Sequence, residues 1–324
     1  MELKNIAILG PGGSVGSVIV AELLKLHDRF VITGITRHSS SYTAPVDSGI
    51  THKKVNYESF DSLVEAFSGQ DAVVNCITGS ATQYDSSKRI IDACIVAGVK
   101  FFFANEFVGH VTREQYRRLP EAFVGGKFRI RQYMEEFGKE GKITWTSLTG
   151  GPFFDMWVAK GPAGFDIANR HARIYGTGNN PLCWTPLPTM GFAAANMLQN
   201  PAVIANRPIH IFPFNNLTQN LILTTLESVL GSKFTVEIVN VKKINEHARI
   251  ALERGEAGKA MKGLAVSNQF YEEDSGNDFR ALVENETVGV EMMTVEDAIK
   301  DVIARYGEDS KVVEAMFKID ACEI

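Results

Sequence analysis

Lys4-Asn5-Ile6-Ala7-Ile8-Leu9-Gly10-Pro11-Gly12-Gly13-Ser14-Val15-Gly16 is a short apolar run that breaks into glycine and then opens a helix. The run Ile6 to Leu9 fits a strand buried on both faces, and Val15, Ile19, Leu23 and Leu26 then repeat at helical spacing. Two glycine spacings can be read in the loop: Gly10-x-Gly12 and Gly10-x-x-Gly13-x-x-Gly16. Such a loop lets backbone pass close to a pyrophosphate, and the helix start supplies amide donors and a favourable dipole. A glycine cluster alone is also compatible with a plain tight turn. Strand, loop and helix within about thirty residues favour dinucleotide binding by Gly10, Gly12, Gly13, Ser14, Val15 and Gly16.

The same rhythm continues outward from that loop. Strands are expected at 30–36, ending at Val55, at 72–77, 99–104 and 143–148, with helices ending near Gly69 and spanning 86–97. Strand and helix in alternation, with crossovers of this length, predict a parallel sheet covered on both faces. The expected fold is α/β: a Rossmann-type doubly wound parallel sheet with a smaller C-terminal α+β substrate lobe. Residues 1–152 are assigned to the dinucleotide-binding domain and 153–324 to the lobe, with the chain free to cross back. Beyond Gly151 the rhythm breaks into irregular glycine and proline punctuation, and helices return at 191–198, 221–229, 244–254 and 294–306. Thr294 and Asp297 form a capping box ahead of a stripe of Val295, Ile299, Val302, Ile303 and Tyr306.

Composition sets the outer limits. The 324 residues are about twice a one-domain prior of ~150. Lys+Arg 33 against Asp+Glu 38 gives a formal charge of -5, which argues against a general nucleic-acid binder. No run approaches the ~18 apolar residues of a membrane helix, and no signal-peptide pattern precedes Ile6. Cys76, Cys94, Cys183 and Cys322 are far apart without a CxxC pair, so a reducing cytoplasmic setting is expected. A monomer or homodimer without a membrane or nucleic-acid partner is the corresponding expectation.

The end of the second strand chooses between cofactors. NAD sites usually place an acid there for the ribose 2′-hydroxyl. Here the sequence is Thr36-Arg37-His38-Ser39-Ser40, with no acid between Asp28 and Asp47. Arg37 offers a planar fork for a 2′-phosphate, with Ser39 beside it, so NADPH/NADP is the expected cofactor. A solvated surface arginine is the alternative. Tyr57 is expected near the adenine, and Thr78 and Gly79 along the cofactor, although Gly79 also suits a turn.

The catalytic candidate is a lysine. Tyr84-x-x-x-Lys88 has the spacing of a short-chain reductase pair but follows the fourth strand, where an ordinary surface helix is expected. After the fifth strand comes Phe123-Val124-Gly125-Gly126-Lys127, with phenylalanine where a tyrosine proton donor would stand. Lys127 lies three and seven residues before Ile130 and Met134 and so shares their inward face. The alternative is a lysine snorkelling from a helix start. An inward lysine beside a dinucleotide would have a depressed pKa and serve as general acid or base.

The glycine loop, Asn105-Glu106-Phe107, Lys127 and the stretch Ile143 to Phe154 together resemble the NmrA-like, isoflavone-reductase-like family of atypical short-chain dehydrogenases, with fungal members the most similar. Arg173 to Asn179 and Asn285 to Gly289 fit the same pattern, so the resemblance spans nearly the whole chain. It implies an NADPH-dependent reductase of phenolic or polyketide-like small molecules, a type found in secondary metabolism. Plant reductases of the family carry a lysine at the position Lys127 matches, after a Ser-Glu-Phe that is Asn-Glu-Phe here. Asn105 and Phe107 are accordingly expected at the cofactor, and the resemblance implies that Gly151, Pro152 and Phe153 lie beside the nicotinamide. Two positions depart from the pattern: the loop reads Gly-Pro-Gly-Gly where Gly-Ala-Thr-Gly is common, and Met190 stands where many members begin a helix with aspartate. The family also contains regulators that bind the dinucleotide without turnover.

Phe107, Phe154, Met156 and Trp157 follow strand ends and are candidates for an apolar substrate wall, with core packing as the alternative for each. His110 is a second candidate for proton transfer, a structural histidine being the alternative. The remaining histidines show no metal-ligand spacing. The resulting expectation is hydride transfer to a conjugated or aromatic substrate with Lys127 as general acid/base. A non-catalytic NAD(P)-sensing regulator and a cofactor-retaining isomerase or cyclase are the alternatives.

Overall fold

The central strands of the main sheet, Asn5–Leu9, Ala72–Asn75 and Phe101–Ala104 among them, are buried on both faces, so the sheet needs a helical layer on each side. The computed structural model describes residues 1–77 and 83–324. The chain runs through β1 (Asn5–Leu9), α1 (Ser14–Leu24), β2 (Val31–Arg37), β3 (Thr51–Val55), α2 (Phe60–Phe67) and β4 (Ala72–Asn75). It continues through α3 (Tyr84–Val96), β5 (Phe101–Ala104), α4 (Glu114–Arg117), α5 (Gly126–Lys139) and β6 (Thr144–Thr149). Next come α6 (Phe154–Lys160), β7 (Phe165–Asp166), β8 (His171–Tyr175), α7 (Leu187–Gln199) and β9 (Arg207–His210). The last elements used below are α8 (Gln219–Leu230), β10 (Thr235–Val239), α9 (Val241–Glu253), α10 (Ala257–Phe270) and α11 (Val295–Tyr306).

The main sheet has the order β3-β2-β1-β4-β5-β6-β9 and is parallel throughout. Alternation along each strand sorts its side chains. Ile6, Ile8, Phe101 and Phe103 face a core with α1 and α7, while Ala7, Leu9 and Phe102 face one with α2, α3 and α5. Because β2 and β3 lie on one side of β1 and β4 on the other, the order of strand addition reverses between β1 and β4, the place where such sheets bind ligands.

The part after residue 153 is discontinuous in space. α7 packs on the sheet beside α1, where a Cβ on Gly191 would lie 2.7 Å from the carbonyl oxygen of Val18. β9 then adds to β6 as the seventh strand. The lobe is a second core around the small sheet β10-β8-β7, with α6, α8, α9 and α11 packed on it. Met190 is fully buried beneath Gly150 in the sheet-side core. With no aspartate there, the first turn of α7 takes its acceptor from elsewhere: Asp155 accepts from the Leu187 amide at 3.0 Å. In α11, Thr294 caps the helix by accepting from the Asp297 amide at 3.0 Å. Among the described residues no helix is long and apolar enough to cross a membrane.

Candidate active site

The first cavity, about 350 Å³, opens over the glycine loop at the β1/β4 reversal and is bounded by Gly10, Gly12, Gly13, Arg37, Tyr57 and Ile77, among others. Gly10 has a φ of 77° and donates to the Ile35 carbonyl at 3.0 Å. A Cβ on Gly16 would overlap the carbonyl oxygen of Gly10, so the helix can approach the loop only without a side chain there. Gly13 caps α1 without a side-chain hydrogen bond, and no acidic residue stands in its first turn. The amides of Ser14, Val15 and Gly16 are therefore left for an anion. Val15 contributes only its amide, because its side chain is in the core.

Arg37 ends β2, is exposed, and makes no ion pair among the described residues. Tyr57 walls the cleft and donates to the Ile35 carbonyl at 3.1 Å, with burial raising its pKa. Ser39 is exposed and does not line this cavity; its neighbours Ser40, Ser41 and Tyr42 do, because the loop turns inward after it. The Tyr42 ring stands over Gly12 and edge-on to His52 at 5.2 Å. Its hydroxyl is buried and meets no partner among the described residues. An uncapped helix, an unpaired guanidinium and an unsatisfied phenol around one cleft could hold the phosphates of a dinucleotide. Thr78 and Gly79 lie outside the described residues.

Lys127 occupies the first turn of α5 and is 4% exposed, sharing its face with Ile130, Arg131 and Met134. Its ammonium donates to both oxygens of Asn105, the main-chain carbonyl and Oδ1, the latter at 2.8 Å. The Asn105 amide in turn donates to the Ile77 carbonyl, which tethers the end of β5 to the end of β4. Burial lowers the Lys127 pKa to about 8, and the nearby negative charge of Glu106 limits the fall. Glu106 itself is buried against Arg131, whose Nε donates to Oε1 at 2.9 Å and whose Nη2 also holds Ser147 Oγ at 2.9 Å. Lys88, by contrast, pairs on the surface with Asp92 at 2.6 Å, one helical turn away.

A second cavity, about 170 Å³, lies between the strand ends and α10. Phe107, Pro152, Phe153 and Trp157 form its apolar walls, and Tyr116, Asn268 and Gln269 bring polar groups. Phe107 stacks on Phe103 with ring centroids 5.8 Å apart. Gly151, at φ 71°, passes so close to the Cys183 carbonyl that any side chain would collide with it.

Two of the expected wall residues lie elsewhere. Phe154 is fully buried in the lobe core against Phe214, centroids 5.3 Å apart, because it shares a helix face with Val158. Met156 packs against the sheet-side core. Of the three α6 candidates only Trp157 reaches the cavity. His110, like Lys127 and Asn105, is not among the residues bounding either cavity; it packs edge-on to His210 at 5.1 Å, holds Thr112 Oγ1 at 2.7 Å, and burial lowers its pKa. Sequence reasoning missed Tyr42, Tyr116, Asn268, Gln269 and Arg131. Only Arg131 carried a signal, four residues after Lys127 on the same helix face.

A model of the NmrA-like family matches residues 2–297. The chain belongs to the NmrA-like family. Among curated relatives, oxidoreductase aprR of Aspergillus flavus is 32% identical over 258 residues, 79% of this chain and 82% of that one. Among solved structures, an isoflavone reductase superposes with a TM-score of 0.72 at 21% identity, covering 93% of this chain and 99% of its own. AtPrR2, solved with NADP+ and (+)-pinoresinol, gives 0.71 at 18% identity with the same coverage of both chains. At such identities the two structures speak for the fold, and the curated relative adds the name oxidoreductase.

Proposed function

We propose that this NmrA-like protein is an NADPH-dependent reductase of a small conjugated or aromatic molecule, with Lys127 as general acid/base. The observation that carries the reading is Lys127 itself: a buried ammonium, held by two oxygens of one residue, with a pKa lowered to about 8. A group poised so near neutrality gives up a proton and regains it at little cost. A nicotinamide dinucleotide whose phosphates sit at the glycine loop would supply the hydride. Lys127 supplies the proton to the oxyanion that develops on the substrate, and Asn105 fixes the direction from which it comes. The loop amides and Arg37 hold the phosphates, and the absence of an acid at the end of β2 favours NADPH over NADH. Phe107, Pro152, Phe153 and Trp157 keep water from the reacting face. A relative named as an oxidoreductase and a structural neighbour holding NADP+ with an aromatic ligand support this reading.

The test is Lys127→Met, assayed with NADPH and a panel of aromatic enones and quinones. Cofactor affinity is expected to stay within about threefold, while turnover falls by about 10² or more. Unchanged turnover in the variant would remove Lys127 from the reaction. Tight cofactor binding with no turnover by the wild type would favour a dinucleotide-sensing regulator, and product formed without NADPH loss an isomerase.

A further inference from the structure

Among the described residues that line the apolar cavity, Asn268 carries a buried hydrogen-bond donor that its surroundings leave unused. Gln269 is committed at both ends: its Oε1 accepts from Trp184 Nε1 at 2.9 Å, and its Nε2 donates to the Tyr116 hydroxyl at 3.3 Å. The Tyr116 hydroxyl itself donates to Asn277 Oδ1 at 3.2 Å. Asn268 differs. It is 1% exposed, and its Oδ1 accepts from the Gly276 amide at 2.7 Å. A backbone N–H can be met only by the oxygen of the carboxamide, so this contact fixes which end of the side chain is which. Gly276 is glycine for that reason: a Cβ there would stand 2.8 Å from Asn268 Oδ1 and 2.8 Å from Gln115 Cβ. The NH2 of Asn268 donates to no group among the described residues, although the residue lines the cavity.

We infer that Asn268 is a specificity-determining donor, which anchors an acceptor oxygen of the substrate from the α10 side of the cavity. The inference rests on the reading of this cavity as the substrate site and names what the site takes. About 170 Å³ is the liquid-volume share of about six waters, room for one or two fused rings. Apolar walls favour a flat hydrocarbon frame, and an unpaired buried donor favours a frame that carries a carbonyl or ether oxygen. Leaving such a donor unpaired is costly, so the site also rejects the same frame without the oxygen.

The experiment compares 1-tetralone with tetralin, which share the bicyclic frame and differ in one carbonyl. Binding is followed by intrinsic tryptophan fluorescence, to which Trp157 of the cavity wall contributes, with NADP+ at saturation, where no reduction occurs. Wild type is expected to prefer the ketone by about fivefold or more, the worth of one net hydrogen bond. Asn268→Leu should bring the ratio to near one by weakening the ketone alone. Asn268→Asp, which keeps an acceptor for the Gly276 amide and so guards against a folding failure, should reverse the preference by facing the carbonyl with a carboxylate. A wild-type ratio near one, or a ratio preserved in the Asp variant, overturns the inference. NADPH oxidation with the enone panel separates the two readings. Preference for the ketone without any turnover keeps the anchor and removes the reductase, and turnover with no Asn268-dependent preference does the reverse.

Discussion

Lys127 is the residue whose environment costs the fold most visibly. In the unfolded chain its ammonium titrates near its ordinary 10.5, and in the folded protein near about 8. The folded state therefore binds fewer protons between those values. Stability carries the full penalty of a buried charge below pH 8, and the penalty is relieved as pH rises from 8 to 10.5. Lys127→Met has no such titration. The difference in unfolding free energy, wild type minus variant, should rise by about 3 kcal/mol across that window. Loss of the Asn105 hydrogen bonds shifts the whole curve and leaves its slope untouched, so urea melts at several pH values isolate the effect. A flat difference from pH 8 to 10.5 would mean that Lys127 is hydrated and has no depressed pKa. Lys127 was legible in the sequence because helical spacing tied it to Ile130 and Met134. Asn268 and Tyr116 were not. They reach the cavity only because α4 and the segment behind it pack on α9 and α10, a contact between distant stretches that carry no motif.

At the scale of elements, the glycine loop separates glycines that look alike in sequence. A side chain on Gly16 would meet the backbone oxygen of Gly10, which cannot move without breaking the β1–loop–α1 junction. A side chain on Gly12 would meet Tyr42 Cδ2 at 2.8 Å, the edge of a ring that can turn aside. Gly16→Ala is thus expected to cost about 3 kcal/mol despite its better helix propensity, and to weaken NADPH binding by tenfold or more. Gly12→Ala should stay within about 1 kcal/mol. Denaturant melts with cofactor titrations decide it, and equal losses in both variants would show that the junction is not the rigid part. Strands β1, β2, β4, β5 and β6 were readable because parallel strands buried on two faces are near-continuous apolar runs. β9, Arg207-Pro208-Ile209-His210, joins the same sheet at its edge with only one aliphatic side chain, so the sequence offered no run to read. β10 exposes its first four residues, and the face of α10 toward α9 includes Ala260, Gly263 and Ser267, residues too small to mark a stripe. Gly263 sits where a Cβ would lie 2.8 Å from that of Ala248 on α9, so close helix contact replaced hydrophobic patterning there.

For the whole molecule the question is whether the sheet body and the lobe unfold together. The chain crosses between them repeatedly: α7 and β9 belong to the sheet body, and Val288 and Val290 return to its core from the C-terminal region. Asp155 stands at the crossing. Its carboxylate, 2% exposed on α6, accepts from the Leu187 amide that starts α7 and from Arg305 Nη1 on α11 at 2.7 Å. Burial raises the Asp155 pKa, and the Leu187 amide and Arg305 hold the rise in check. Arg305→Ala removes one of those restraints, so the folded-state pKa moves further up. An acid with a raised folded pKa loses stability as pH rises from its unfolded value through its folded one. The variant should therefore be about 1 to 2 kcal/mol less stable at pH 7, a value reduced from that of a buried pair because Arg305 is itself half-exposed, and close to wild type near pH 4. Amide exchange reports where the loss is felt. If the two cores form one cooperative unit, the slowest amides of β1 in the body and β8 in the lobe share one opening free energy, and both fall by the same amount in the variant. A fall confined to β8 would mean that the lobe opens alone, and the apolar cavity, whose walls come from both parts, would then open with it.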